Sequence, residues 1–220
     1  MNLLKKLKIL RYRNNPHFQK FYQEIKEKSL DRITFSSIDL ETTGLDISKD
    51  EIISFGGIKI KNLKISLGDS FYRVVKPSTD IKKESILVHG ITPSEIEDAP
   101  PIEEILPEFL QFIKGTVIVG YFVTFDIKML SRYTQKLYGF PILNPYIDLR
   151  DFAFYAERKR YRQIVHQEQT SLEELARRYN IPVFHRHNAY YDSLITGLLF
   201  IAMVKKNRAV FESFIKRAIL

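Results

Sequence analysis

The stretch SIDLETTGL places Asp39 and Glu41 two residues apart at the end of an apolar run. Side chains alternate along a strand, so both carboxylates project from one face while Ile38 and Leu40 project from the other. Two adjacent anions repel and need either full solvation or a cation, and hard oxygen ligands of this kind suit Mg2+ or Mn2+. From the pair alone both readings stand: a solvated strand end, or part of a metal site. A further acid, Asp126 in VGYFVTFDIKML, sits where a strand over Val117–Gly120 gives way to a helix, among Phe125, Ile127, Met129 and Leu130. By itself it reads equally as an acid near the positive end of a helix dipole. HRHNAYYDSLITGLLF then holds His187 and Asp192 five positions apart. Five helical residues turn about 500°, which leaves the two side chains about 140° apart. They share a site only if His187 lies in the loop before the helix, an arrangement that Asn188 as N-cap produces. Separately, His187 reads as a surface loop residue and Asp192 as an ordinary first-turn acid.

The rest of the chain must bring these four carboxylates and one imidazole together. At 220 residues and 45% hydrophobic content, with 16 Phe and 12 Tyr, it can bury one substantial core. Cysteine is absent, which excludes disulfides, thiolate zinc sites and a Cys nucleophile. Any metal is therefore held by oxygen or imidazole. No apolar run approaches the roughly 18 residues of a membrane span, and no signal-peptide block opens the chain, so a cytoplasmic address is expected. The net charge is +8, and residues 1–30 hold eight basic residues against Glu24 and Glu27. A basic excess points towards a polyanion or, more plainly, towards a charged surface helix.

Residues 1–30 read as a basic amphipathic helical extension: Leu3, Leu4, Leu7 and Leu10 share one helix face, and after Pro16 so do Phe18, Phe21, Tyr22 and Ile25. Packing on the domain is favoured over partner binding. Residues 31–220 form the main domain. ITFSSIDLE, EIISFGGIKI and SFYRVVKP read as three successive strands, hence an antiparallel meander. A Pro-rich acidic loop, ITPSEIEDAPP, precedes a helix near 102–114. A short buried strand, TVIVGY, leads into a helix of about 125–138. Helices are expected over 148–161, from Ser171 with its capping partner Glu174, over 188–204, and over 208–219. The fold class is α/β: a mixed β-sheet, an antiparallel meander plus parallel strands, flanked by α-helices.

DLETTGL, VGYFVTFD and HNAYYD, in this order and spacing, resemble the three motifs of the DEDDh branch of the DnaQ-like 3'-5' exonucleases. The resemblance runs from about Phe35 to Phe200 and takes in VHGITPSEIEDAP and SLEELARRYNIP. It implies a ribonuclease H-like fold in which Asp39, Glu41, Asp126 and Asp192 bind two divalent metal ions, Mg2+ or Mn2+, and His187 is the general base. Such ions, roughly 3.5–4 Å apart, stabilise the attacking and leaving oxygens of an in-line displacement. Imidazole, with an ordinary pKa of about 6.5, is largely neutral at pH 7–8 and can accept a proton from water. The resemblance also assigns Thr42, Thr43, Gly44 and Leu45 to the terminal nucleotide, with Leu45 as a wedge, and places His89 in a loop near the substrate.

Two departures stand out. Many relatives carry His-Asn before the second motif, whereas this chain has Tyr121 and Phe122. An aromatic there could stack on a base. The chain also stops soon after its last helix, leaving no room for a polymerase-holding tail, so a DNA polymerase contact would fall to the basic N-terminal extension. The expected activity is removal of nucleotides from single-stranded DNA 3' ends as 5'-monophosphates, in proofreading or repair. One alternative is a 3'-5' exoribonuclease of the RNase T or oligoribonuclease type, since the basic run Arg158, Lys159, Arg160, Arg162 would serve either polymer. Another is a non-catalytic nuclease-fold binding module.

Overall fold

The computed structural model describes residues 3–27, 29–79, 90–161 and 170–218. His89 and Arg162 lie outside them. Two short helices, α1 (Leu3–Tyr12) and α2 (Pro16–Phe21), lead to a meander of β1 (Phe35–Thr42), β2 (Ile52–Lys61) and β3 (Lys64–Val74). Then come α3 (Pro93–Glu97), α4 (Ile102–Ile113), β4 (Val117–Gly120), α5 (Val123–Tyr138), β5 (Tyr146–Asp148), α6 (Leu149–Tyr161), α7 (Leu172–Arg178), α8 (Ala189–Lys206) and α9 (Arg208–Ala218). The sheet order is β3-β2-β1-β4-β5, with β1–β2 and β2–β3 antiparallel and β1–β4 and β4–β5 parallel.

Alternation along β1 divides the interior. Ile38 and Leu40 join Phe55, Leu106, Phe109, Met129 and Leu130 on one face, covered by α4 and α5. On the other, Phe35 packs with Phe200 and Phe211 from α8 and α9, alongside Phe152 of α6. Each such fully buried side chain contributes about 1.5–3 kcal/mol. Phe18 and Phe21 of α2 belong to the first of these cores, and Asn15 caps α2 while its amide donates to the Tyr138 carbonyl. The second half of the basic extension is thus packed on the domain, while Leu7 and Leu10 of α1 remain exposed.

Several local features differ from the sequence expectation: α2 ends at Phe21, where Tyr22 turns extended, so Tyr22 and Ile25 lie beyond the helix. β3 begins at Lys64, not near Ser70, because Asn62 and Leu63, both at positive φ, close a two-residue hairpin. Exposed residues such as Leu67 and Asp69 hide that strand half from an apolar pattern. The acidic loop contains α3, started by Thr92 and Glu95 in a capping box. Asp148 ends the three-residue strand β5, and the helix starts one residue later. Ser171 with Glu174 and Asn188 form the expected caps.

Candidate metal centre

The carboxyl ends of the parallel strands β1, β4 and β5 share one edge of the sheet, where open α/β sheets place their ligands. Asp39 and Glu41 project there from the α8 face of β1, the face on which the Ser37 hydroxyl donates to the Ser193 carbonyl of α8 at 2.7 Å. A bulge between Glu41 and Thr42 shifts the register against β2 at this point, Glu41 facing Ser54 and Thr42 facing Ile52. Asp192 enters from the first turns of α8, whose start is set by Asn188: its side-chain oxygen accepts from Tyr190 N–H at 3.1 Å and Tyr191 N–H at 3.4 Å.

One glycine sets the approach of α8. Gly56 of β2 lies opposite Asp39, and a Cβ there would sit 1.9 Å from the Ala189 carbonyl oxygen. Only a residue without a side chain lets the helix come this close. The outcome is that one carboxylate oxygen from each of Asp39, Glu41 and Asp192 lies within 4.8 Å of the others. Asp126, 5% exposed in the first turn of α5, stands beside them: its Oδ1 accepts from the Leu40 N–H at 3.1 Å, between the two strand acids.

Burial is the largest cause of raised proton affinity at all four acids. Asp39 is held well above the usual carboxylate range by burial, then by Asp126, Glu41 and Asp192. Asp126 is likewise pushed well up by burial, against the hydrogen bonds it accepts from backbone N–H groups. Glu41 is raised to about 7 by burial and by Asp192. Asp192 is raised by burial despite the Arg186 guanidinium beside it. Such a set of anions is unstable without positive charge.

Arg186 provides some of that charge. Its Nη1 pairs with Asp192 Oδ2, and its Nε lies 3.3 Å from Glu173 Oε1 of α7. Its position directly before His187 is the only sequence signal for this role. His187 stays at the rim: its side chain is exposed, and its backbone N–H donates to Asp192 Oδ2 at 3.2 Å. Asp192 Oδ1 is buried without a hydrogen-bond partner among the described residues. An all-oxygen donor set with one orphaned carboxylate oxygen fits a hard divalent cation.

The turn after β1 is tied internally. Thr42 Oγ1 donates to the Gly44 carbonyl at 2.7 Å, and Thr43 Oγ1 donates to Asp50 Oδ1 at 3.1 Å. A Cβ on Gly44 would sit 2.6 Å from Asp50 Oδ2, so this glycine makes room for a carboxylate of its own loop. Arg132 of α5 donates to the carbonyls of Ile47 and Asp50 and fastens the loop. Leu45 stands clear of it, 84% exposed, and Phe122 is 52% exposed at the start of α5.

Residues 36–200 match the model of an exonuclease family, RNase_T. The chain belongs to this family of exonucleases. Among the exonuclease's relatives, the PolC-type DNA polymerase III of Thermotoga petrophila is 33% identical over 183 residues, 82% of this chain and 13% of that protein. The chain thus spans only about an eighth of the PolC-type relatives it matches. The DNA polymerase III subunit epsilon of Aquifex aeolicus is 32% identical over 175 residues, 79% of this chain and 81% of that one. Among solved structures, the zinc-bound E. coli ExoI–ssDNA complex superposes with a TM-score of 0.70 at 21% identity, over 84% of this chain and 43% of that one. This shared fold is the ribonuclease H-like mixed sheet with flanking helices. No helix among the described residues is long and apolar enough to cross a membrane.

Proposed function

We propose that this exonuclease removes nucleotides from the 3' end of single-stranded DNA, releasing nucleoside 5'-monophosphates with the help of two divalent ions, Mg2+ or Mn2+. The observation that carries the reading is the convergence of Asp39, Glu41 and Asp192 within 4.8 Å, with Asp126 alongside on the Leu40 N–H. The single-stranded DNA in the ExoI complex and the DNA polymerase III relatives support a DNA substrate.

Asp39, Glu41, Asp126 and Asp192 would hold the ions. When bound, these supply Lewis-acid stabilisation of the charge that builds on the phosphodiester. His187, swung inwards from the rim, takes a proton from the attacking water as its oxygen bonds to phosphorus. The bond to the 3' oxygen of the preceding nucleotide breaks, and that oxygen leaves as the new 3' hydroxyl once protonated. The backbone of Thr42–Gly44 seats the terminal nucleotide, and Leu45 wedges against its base. Phe122 adds an aromatic contact. His89 is assigned to the same substrate side from the family pattern alone.

The polymerase III relatives also support docking on a DNA polymerase, for which α1 offers Leu7 and Leu10 among Lys6, Lys8 and Arg11. The direct test of activity incubates 5'-labelled single-stranded DNA, with matched RNA as competitor, in Mg2+, Mn2+ or EDTA. A ladder shortening from the 3' end with either metal and none in EDTA is expected. A folded preparation that shortens nothing refutes the reading, and preferential loss of the RNA reassigns the substrate.

A further inference from the structure

We propose that Phe122 and Arg150 form a stacking platform for single-stranded nucleic acid at the rim of the acid cluster, Phe122 receiving an internal base of the strand and Arg150 a neighbouring phosphate. The proposal rests on reading the cluster as a nuclease site and adds a place where the strand is held behind its terminus.

Phe122 adopts φ 59° and ψ 27°, the left-handed conformation, which costs a bulky L-residue about 1–2 kcal/mol. It occupies the N-cap of α5 yet makes no side-chain capping bond, so cap chemistry does not account for a phenylalanine here. Core packing does not account for it either, since the ring is 52% exposed. Asn or Gly would satisfy the backbone at lower cost. A strained position filled by an exposed aromatic is where function rather than stability selects the side chain.

The surroundings complete the platform. The Arg150 guanidinium carbon lies 3.5 Å from the Phe122 ring centroid, and the Tyr121 ring meets that ring edge-on at 5.5 Å. Asp148, buried at the end of β5, accepts from the Phe122 N–H at 3.4 Å and from the Arg150 N–H at 3.0 Å. One carboxylate thus fastens both backbones. Among the described residues the Arg150 guanidinium forms no salt bridge and acts on Asp148 only through its charge, which leaves its planar fork of N–H donors for a phosphate. A ring backed by a guanidinium offers a face on which any base stacks and a charge that any backbone satisfies. Asp126 follows Phe122 by four residues, roughly 6 Å along the axis of α5, so the platform adjoins the cluster.

The test measures anisotropy of 5'-labelled single-stranded DNA in EDTA, where nothing is cleaved, with one abasic position stepped back from the 3' end. For the parent protein, an abasic gap at one internal position should weaken binding about tenfold. Phe122→Asn should weaken the intact strand by a similar factor and erase that internal dip, while melting no lower than the parent. Arg150→Gln should weaken the intact strand and reduce the salt dependence of binding by about one phosphate contact. A parent without an internal dip, or a dip that survives Phe122→Asn, overturns the platform. A parent that shows the dip but releases no nucleotide with Mg2+ or Mn2+ keeps the platform and removes the nuclease reading. Degradation of DNA without any dip does the reverse.

Discussion

The acid cluster and the loop over it, Phe184–Asn188, are built on opposite principles. Asp39 and Glu41 ride on β1, an interior strand paired with β2 and β4. Asp126 is pinned by the Leu40 N–H, and Asp192 sits on a capped helix held against Gly56. The loop instead passes through positive φ at His185 and His187, and is held by the charged hydrogen bonds of Arg186 and by the His187 N–H on Asp192. On the proposed reading these acids are metal ligands, which must be closely spaced before the ion arrives and so are carried by ordered elements. On the same reading, His187 would have to reach a water that is present only with substrate, which the rim loop rather than the strand would allow.

The comparison breaks hardest at the ordered centre. Asp39→Asn should cost about a thousandfold or more in nucleotide release while the metal-free protein melts no lower than the parent, because a buried anion has been removed. A marked drop in both would mean that Asp39 serves stability first. Gly56→Ala should cost about 1–3 kcal/mol in denaturant midpoints, and Mn2+ affinity should fall with it, because the new Cβ pushes the start of α8, and Asp192 with it, off the strand. Retention of full Mn2+ affinity would show that the helix tolerates displacement.

Protons test the same centre more gently. Glu41, ordinarily near 4.5 and raised to about 7, holds its proton in the folded metal-free protein over a range where the unfolded chain has lost it. The part of the stability in EDTA that Glu41 contributes should therefore be fully present below about pH 4.5 and be lost as pH rises through about 7. Thermal melts of the parent and of Glu41→Gln check this, the variant giving the flatter curve. The smallest effect is expected at the tether. Arg186→Gln removes a half-buried cation that shares Asp192 with any incoming ion, so Mn2+ should bind several-fold tighter by calorimetry while the metal-free protein melts a few degrees lower. Weaker Mn2+ binding would assign Arg186 to holding Asp192 in place instead.

How much was legible from residues alone follows the range of each interaction. The side shared by Asp39 and Glu41 is a consequence of strand alternation. Ser171 with Glu174, and Asn188 before Asp192, announce helix starts because capping is completed within three or four residues. The mixed sheet followed from three successive strands and then strand-helix alternation. What escaped was carried by contacts distant in sequence or by weak local patterns. β5 has three residues, too few for a periodic signal, and the first half of β3 carries no continuous apolar face.

The sequence by itself determined which residue types could do chemistry here and, through motif order, the family to which they belong. Local rules also placed Asp39, Glu41 and Asp192 on their elements. Only the tertiary structure decided how those elements meet. Gly56 admits α8 because the Ala189 carbonyl arrives from more than 130 residues further along the chain, and Arg186 reaches both Asp192 and Glu173 only once α7 and α8 pack. It is also where Phe122 acquires a left-handed backbone and a guanidinium on its ring. Close approach, burial and the resulting shifts in proton affinity depend on distances through space, which residue spacing along a chain does not encode.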